Sequence, residues 1–272
     1  MTYCGLFDDI AQLNLPGLEE IDLYESFFAE KYEDILGSYA QELEIYRRHA
    51  LRAKGLVLEL ACGTGRIMID LAKQGIQIHG IDCAQDMLDQ LAMRLESCSV
   101  RVRKNITFAN ANVFQYRTKP QYGLVILPAT TICLLSDDER KTRQLFQNIY
   151  DMLIPGGRFI FDYRADQSPN LKETSPLGIQ TYTGLNCKEI IFFQEFDNYI
   201  PGRSIVNFYA EIVEGAHTQR YMTSSSKKII TRDFLQGIIE QTPFEIQDEE
   251  VIKLSDTIHI EYLSLEKPEL TF

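Results

Sequence analysis

The stretch that decides the fold is Val57-Leu-Glu-Leu-Ala-Cys-Gly-Thr-Gly-Arg66, an apolar run that ends in closely spaced small residues. Its apolar first half predicts a short buried strand, and the periodicity of residues 66–73 predicts a helix. Small residues at Ala61, Gly63 and Gly65 let the backbone turn sharply and approach a ligand closely. Because a helix start offers free N–H groups and a positive dipole end, the segment predicts an anion-binding strand, loop and helix.

Alternating strands and helices continue on both sides of this segment. Apolar periodicity predicts two helices between residues 19 and 51, broken near Gly37. Strands are expected at 76–81, 106–109, 124–127 and 158–162, and helices at 85–95 and 137–153. Such βα units predict an α/β fold with a mostly parallel sheet and helices on both faces.

The pattern changes after Arg164. The β-rich segments 190–196, 204–213 and 218–223, joined by turn signals, predict antiparallel hairpins. A helix over residues 232–240, capped by Thr231, and strands near 245–254 and 259–265 are expected to follow.

Composition narrows the class of function. Of 272 residues, 45% are hydrophobic and 24% charged, as in a folded globular protein. The net charge of −12 has the wrong sign for a nucleic-acid binder, so a small-molecule or protein substrate is favoured. No apolar stretch reaches the roughly 18 residues of a membrane helix, and the first nine residues lack a basic start, so we expect a cytoplasmic protein. Six cysteines without C-x-x-C spacing and four histidines predict no metal site.

Two acidic residues indicate which chemical groups the ligand carries. Glu59 ends the first strand, where its carboxylate could meet an ammonium group. Asp82 ends the second strand, near the spacing at which a carboxylate accepts hydrogen bonds from ribose hydroxyls. The third glycine of a nicotinamide-binding G-x-G-x-x-G pattern would fall at Met68, which argues against that cofactor.

Three segments together resemble the successive motifs of the class I S-adenosyl-L-methionine-dependent methyltransferases: residues 57–66, 80–88 and 153–159. The resemblance implies a Rossmann-like seven-stranded, mostly parallel sheet whose last strand is antiparallel. It also implies S-adenosyl-L-methionine as cofactor and methyl transfer as the reaction.

The resemblance also implies roles for particular residues. Asp82 would hold the ribose, and Asn112, where the family usually has Asp, would accept a hydrogen bond from the adenine amino group beside the Val113 N–H. Two further departures are Ala61 for the usual first glycine and Gly123 for a common Asp. The remaining cofactor residues would be Glu59, Ala61, Gly63 and Gly65 at the methionine end, Cys83 and Met87 at the adenine, and Pro128.

The substrate is expected to be a small, fairly apolar metabolite, with nitrogen preferred over oxygen as acceptor. The sequence has Leu-Pro-Ala-Thr at residues 127–130, not the motif of nucleic-acid and glutamine amide methyltransferases. The layout is similar to that of sugar amine and glycine N-methyltransferases, and residues 27–36 resemble their N-terminal Tyr-Asp segment. Tyr32 would then contact the methionine end or the methyl group, while Thr130 and Thr131 would line the pocket floor.

The hairpins are expected to supply apolar walls and a base. Phe192 and Phe196 share one face of their strand and, with Tyr209, are candidate substrate contacts. A general base, if one is used, is His217 or His259. Open alternatives are an O-methyltransferase, a peptide methyltransferase, an NAD(P)-dependent reductase and a non-catalytic binder.

The expected organisation is a single domain in four parts. Residues 1–52 would form an N-terminal helical cover, 53–165 the cofactor-binding core, 166–230 an antiparallel β insertion serving as substrate lid, and 231–272 the C-terminal part of the core sheet.

Overall fold

The computed structural model describes residues 1–36, 40–166, 171–184, 187–253 and 258–269. The chain divides into two compact units, a larger one of residues 37–167 and 230–272 and a smaller one of residues 1–36 and 168–229. The N-terminal cover expected over residues 1–52 is therefore divided between the two units.

The helices and strands are numbered in chain order within the described residues. The helices are α1 (Leu6–Gln12), α2 (Ser26–Leu36), α3 (Ala40–Ala50), α4 (Arg66–Lys73), α5 (Gln85–Glu96), α6 (Val100–Arg103), α7 (Ile132–Leu135), α8 (Glu139–Met152) and α9 (Arg232–Ile239). The strands are β1 (Leu18–Glu20), β2 (Leu56–Leu60), β3 (Ile78–Asp82), β4 (Ile106–Asn110), β5 (Tyr122–Leu127), β6 (Leu153–Asp166), β7 (Glu173–Thr174), β8 (Gly178–Thr183), β9 (Cys187–Asp197), β10 (Arg203–Glu214), β11 (His217–Lys228), β12 (Glu245–Lys253) and β13 (Ile258–Glu266).

The larger unit is built on a seven-stranded sheet in the order β12-β13-β6-β5-β2-β3-β4, counted over the described residues. Neighbours from β6 to β4 pair in parallel, while β13 is antiparallel to both β6 and β12. The predicted Rossmann-like sheet with one reversed strand is confirmed. All six residues of β5 are buried, as expected for a central parallel strand covered on both faces.

Helices cover both faces of this sheet. Side chains of α3, α4 and α5 pack on one face in a cluster that includes Tyr46, Met68 and Leu91. Side chains of α8 and α9, among them Phe146 and Leu235, pack on the other face. Strand ends and helix starts are thereby held at one edge of a rigid layer.

The smaller unit contains a mostly antiparallel sheet in the order β1-β11-β10-β9-β7, with β8 also paired to β9. The predicted hairpins are confirmed by the registers of β9, β10 and β11. Phe7 of α1 packs against one face with Phe196 and Met222. Phe28 of α2 packs against the other face with Phe208. The first 36 residues thus cover both faces of this sheet.

The helix expected from residue 19 onward is wrong at its start. Leu18–Glu20 pairs in parallel with the edge of β11 instead, and α2 begins only at Ser26, whose φ of 47° marks a break in the chain. The pairing partner is about 200 residues away, so local periodicity cannot indicate it. The predicted break near Gly37 lies outside the described residues.

In the described part of the chain, no helix is long and apolar enough to cross a membrane.

Candidate functional site

The loop between β2 and α4 has a left-handed backbone at three positions. The φ angles are 54° at Ala61, 52° at Gly63 and 75° at Gly65. Glycine adopts this conformation without a steric penalty, whereas Ala61 holds it against the preference of its Cβ. The loop turns sharply enough to present the start of α4 at the end of the sheet, as the sequence predicts.

Asp82 holds this loop in place. Its Oδ2 accepts a hydrogen bond from Gly63 N–H (2.8 Å), and its Oδ1 accepts one from Ala84 N–H (2.9 Å). On the far side, the Arg94 guanidinium donates to the carbonyl and hydroxyl oxygens of Thr64 (3.0 and 2.9 Å). Because a carboxylate accepts about four hydrogen bonds, Asp82 can anchor the loop and retain acceptor capacity for ribose hydroxyls.

The two glycines serve different purposes. A Cβ at Gly65 would lie 2.3 Å from Leu91 Cδ1, so this position is required by the packing of α4 on α5. At Gly63 the atom within 4 Å of an added Cβ, among the described residues, is the flexible Met87 Cε at 3.1 Å. Gly63 therefore leaves a cradle beside Met87, where the sequence predicts that a nucleoside lies.

Glu59 is a buried carboxylate, with 2% of its surface exposed. Its Oε2 has no hydrogen-bond partner within the described residues, while a backbone hydrogen bond reaches it from Met68. Burial raises its pKa well above 4.5, with Glu42 and Asp82 adding to the rise and Arg66 opposing it. An ammonium group would satisfy both the unpartnered oxygen and the buried charge, so the chemistry fits the amino end of S-adenosyl-L-methionine.

The residues predicted to contact the adenine already use part of their hydrogen-bonding capacity within the protein. Asn112 Oδ1 already accepts a hydrogen bond from Phe114 N–H (2.9 Å), so one of its two acceptor positions is used within the turn. The Val113 N–H has no acceptor in the described part of the chain and can face a purine ring. Cys83 is exposed, whereas Met87 is buried.

Gly123, the other departure from the family pattern, has a local explanation. A Cβ there would lie 1.8 Å from the Lys54 carbonyl oxygen, so no side chain fits.

A second loop leaves the same edge of the sheet, because β5 pairs in parallel with β2. Pro128 is buried, and the next two residues are left-handed although neither is glycine, with φ of 61° at Ala129 and 53° at Thr130. Ala129 N–H donates to Glu42 Oε1 (2.9 Å), and Thr130 N–H donates to Asp162 Oδ2 (2.7 Å). Two buried carboxylates therefore hold consecutive amides of this loop.

These carboxylates belong to a polar network under α3. The Arg66 guanidinium donates to Glu42 Oε2 (2.5 Å), and the Tyr46 hydroxyl donates to Asp162 Oδ1 (2.5 Å). Burial raises the pKa of Tyr46, and the nearby Asp162 carboxylate raises it further, so the phenol stays protonated and acts as a donor. Through Arg66, at the start of α4, the network joins the two loops.

Three residues of this network are absent from the sequence predictions: Glu42, Tyr46 and Asp162. Asp162 has a recognisable signal, since it lies near the carboxyl end of a parallel strand, as Asp82 does. Glu42 and Tyr46 lie on an ordinary amphipathic helix, and no local pattern marks them.

The three aromatic residues predicted to contact the substrate lie in the smaller unit. Phe196 and Tyr209 are buried with Phe7 beneath α1, and Phe192 packs on the same cluster. This packing gives the three aromatic side chains partners within the smaller unit, and their role as pocket walls stays a prediction. Their common face is the one that α1 covers.

The two proposed catalytic residues have different surroundings. Tyr32 is half-buried with its ring centroid 5.8 Å from that of Tyr24, and His217 is exposed at the start of β11, across a tight turn from Glu214. His259, the alternative base, is buried in β13 of the larger unit. Their catalytic roles stay predictions.

Comparison with known proteins identifies a matching domain family. Residues 57–157 match the model of a family described as Methyltransferase domain. YqeM of Bacillus subtilis (strain 168) is 29% identical over 142 residues, which cover 50% of this chain and 53% of that protein. The chain spans about half the length of the curated relatives it matches. In its sheet, its glycine loop and the matched residues 57–157, this chain is similar to the class I S-adenosyl-L-methionine-dependent methyltransferases.

Two solved structures resemble most of the chain. The sugar N-methyltransferase KedS8 from Streptoalloteichus sp has a TM-score of 0.70 at 12% identity, covering 90% of this chain and 94% of that one. CalS10, an amino pentose methyltransferase from Micromonospora echinaspora, has a TM-score of 0.66 at 13% identity, covering 91% and 99%. At these identities the likeness shows the fold.

Proposed function

We propose that this protein transfers a methyl group from S-adenosyl-L-methionine to a nitrogen of a small-molecule metabolite. The observation that carries the proposal is the pair formed by the glycine loop and Asp82, which are hydrogen-bonded to each other at the carboxyl ends of adjacent strands. Nitrogen is preferred because the structures similar over most of the chain include sugar N-methyltransferases.

Residues of the larger unit would hold the cofactor. Glu59 would pair with its ammonium group, Gly63 would leave room for it, and Asp82 would accept hydrogen bonds from the ribose. When bound, the sulfonium supplies a methyl carbon already activated for in-line displacement. The protein then needs mainly to orient the acceptor and exclude water, effects that contribute about 7–11 kcal/mol in well-oriented reactions.

The acceptor would be oriented by the loop after β5. Thr130 and Thr131 would line the floor of the pocket, with the loop held by Glu42 and Asp162. Tyr32 and His217 remain candidates for contact with the methyl group and for the general base. The cytoplasmic location also remains part of this proposal.

Cofactor binding is tested by calorimetry with S-adenosyl-L-homocysteine, the demethylated product. Asp82→Asn should weaken binding about tenfold or more, because ribose hydroxyls lose a charged acceptor. Gly63→Val should abolish binding, since its side chain fills the cradle. Gly237→Ala is a matched control, as nothing lies within 4 Å of that added Cβ on α9. Unchanged affinity in both site variants would contradict the assignment.

The acceptor is tested by incubating the protein with methyl-labelled cofactor and a cell extract, and identifying the labelled product by mass spectrometry and NMR. Label on a nitrogen of a small molecule supports the proposal. Label on oxygen or on a peptide would instead support those alternatives. Enhanced fluorescence of bound NADPH, without binding of S-adenosyl-L-homocysteine, would instead support the NAD(P)-dependent reductase.

A further inference from the structure

We propose that His49, Asp248 and Glu250 bind a divalent transition-metal cation of the zinc class. One ligand atom from each side chain lies within 4.8 Å of the others. His49 is on α3 and the two carboxylates are on β12, so the fold joins residues about 200 positions apart. All three belong to the larger unit.

Strand register builds the site. Asp248 pairs with Ser264 and Glu250 pairs with Tyr262, so these four side chains share one face of the sheet. Tyr262 packs with Tyr46 of α3, which identifies that face as the one under α3. A small recess is lined by His49, Ile160, Asp248, Glu250, Tyr262 and Ser264.

Two residues that line this recess carry a buried polar atom with no hydrogen-bond partner in the described residues. The atoms are Nδ1 of His49, which is 6% exposed, and Oγ of Ser264, which is 3% exposed. Buried polar atoms are normally satisfied, so these two leave unused hydrogen-bonding capacity in residues that line the recess.

The donor set selects the chemistry. One imidazole nitrogen with two carboxylates suits zinc or a similar first-row ion, and water can complete the coordination. Magnesium and calcium prefer oxygen ligands alone.

Arg48 competes with a metal ion for the Glu250 carboxylate. Its guanidinium pairs with Glu250, and His49 Nε2 lies 3.6 Å from Glu250 Oε1. The Arg48 side chain is 38% exposed, so it can move into solvent when a cation takes the carboxylate. Removing this positive charge should therefore tighten metal binding.

The test is titration of the chelator-stripped full chain with Co²⁺, followed by visible absorption and thermal unfolding. We expect one equivalent to bind and to raise the unfolding temperature. His49→Gln and Asp248→Asn should each weaken binding about tenfold or more, and Arg48→Gln should strengthen it. His79→Gln is the matched control, because that half-buried imidazole already pairs through Nδ1 with Thr107 Oγ1 at 2.8 Å.

Three results would overturn the proposal. They are binding weaker than about 1 mM in the wild type, unchanged affinity in Asp248→Asn, or a thiolate-to-cobalt charge-transfer band, which would assign the ion to cysteines. Asp248 is exposed, so its variant tests the site even where His49→Gln fails to fold.

Discussion

The two loops at the carboxyl ends of β2 and β5 achieve a similar backbone by different means. The first loop has glycine at two of its three left-handed positions, so its conformation can be predicted from the local sequence. The second has no glycine at Ala129 and Thr130, and buried carboxylates hold both amides. Left-handed non-glycine residues each cost about 1–3 kcal/mol, so the second loop persists because tertiary contacts enforce it. The conformation of a functional loop can thus be determined either by its own residues or by tertiary contacts with distant ones.

The largest effect should come from removing a carboxylate of the second loop. Asp162→Ala leaves the Tyr46 hydroxyl and the Thr130 N–H without their acceptor, at a cost of about 2–4 kcal/mol in the free energy of unfolding. Urea denaturation measures this loss. Asp162→Asn keeps an acceptor oxygen and should lose less. Equal stability of the alanine variant and the wild type would refute tertiary enforcement of the loop.

An intermediate effect is expected beside the first loop, at Glu59. Its raised pKa means that the folded state binds a proton more tightly than the unfolded state, so its contribution to stability falls as pH rises from about 4.5 toward the folded pKa. Glu59→Gln removes this pH dependence of stability. It should stabilise the ligand-free protein by about 1 kcal/mol at neutral pH, because the neutral amide avoids the cost of burying a carboxylate charge.

The same variant separates stability from function. Glu59→Gln should bind S-adenosyl-L-homocysteine more weakly in calorimetry, since the neutral amide attracts an ammonium group less strongly. A variant that is less stable than wild type at neutral pH, or that shows the wild-type pH slope, would contradict the assigned burial cost.

The smallest effect compares one alanine from each loop. Ala61→Gly and Ala129→Gly should each raise the free energy of unfolding by about 0.5–1 kcal/mol, as relief of left-handed strain exceeds the added entropy of the unfolded chain. Ala92→Gly, on the exposed face of α5, is the control and should lower it by about 1 kcal/mol. Destabilisation by both loop variants would show that neither loop is strained.

Sequence predicts the fold well where neighbours in sequence are neighbours in space. The order of βα units, the helix at residues 66–73 and the acidic end of β3 follow from local pattern and are found in the structure. Thr231 caps α9 as predicted, with its Oγ1 accepting from Phe234 N–H at 3.3 Å.

Prediction fails where distant segments meet. Glu42 reaches the loop after β5 from a helix about 90 residues earlier, and nothing in its own segment indicates this contact. The packing of Phe7 against Phe196 and Tyr209 is likewise unmarked in the sequence, because α1 was not predicted. Alternation identifies a shared face and leaves its covering element unknown.

The parallel pairing of β1 with β11 has a consequence during translation. Leu18 is opposite Arg220, so the early segment emerges from the ribosome 202 residues before its partner. At typical elongation rates of about 5–20 residues per second, the apolar faces of α1 and α2 stay uncovered for roughly 10–40 s. A nascent chain of this protein therefore offers a long window for chaperones to bind its first 36 residues.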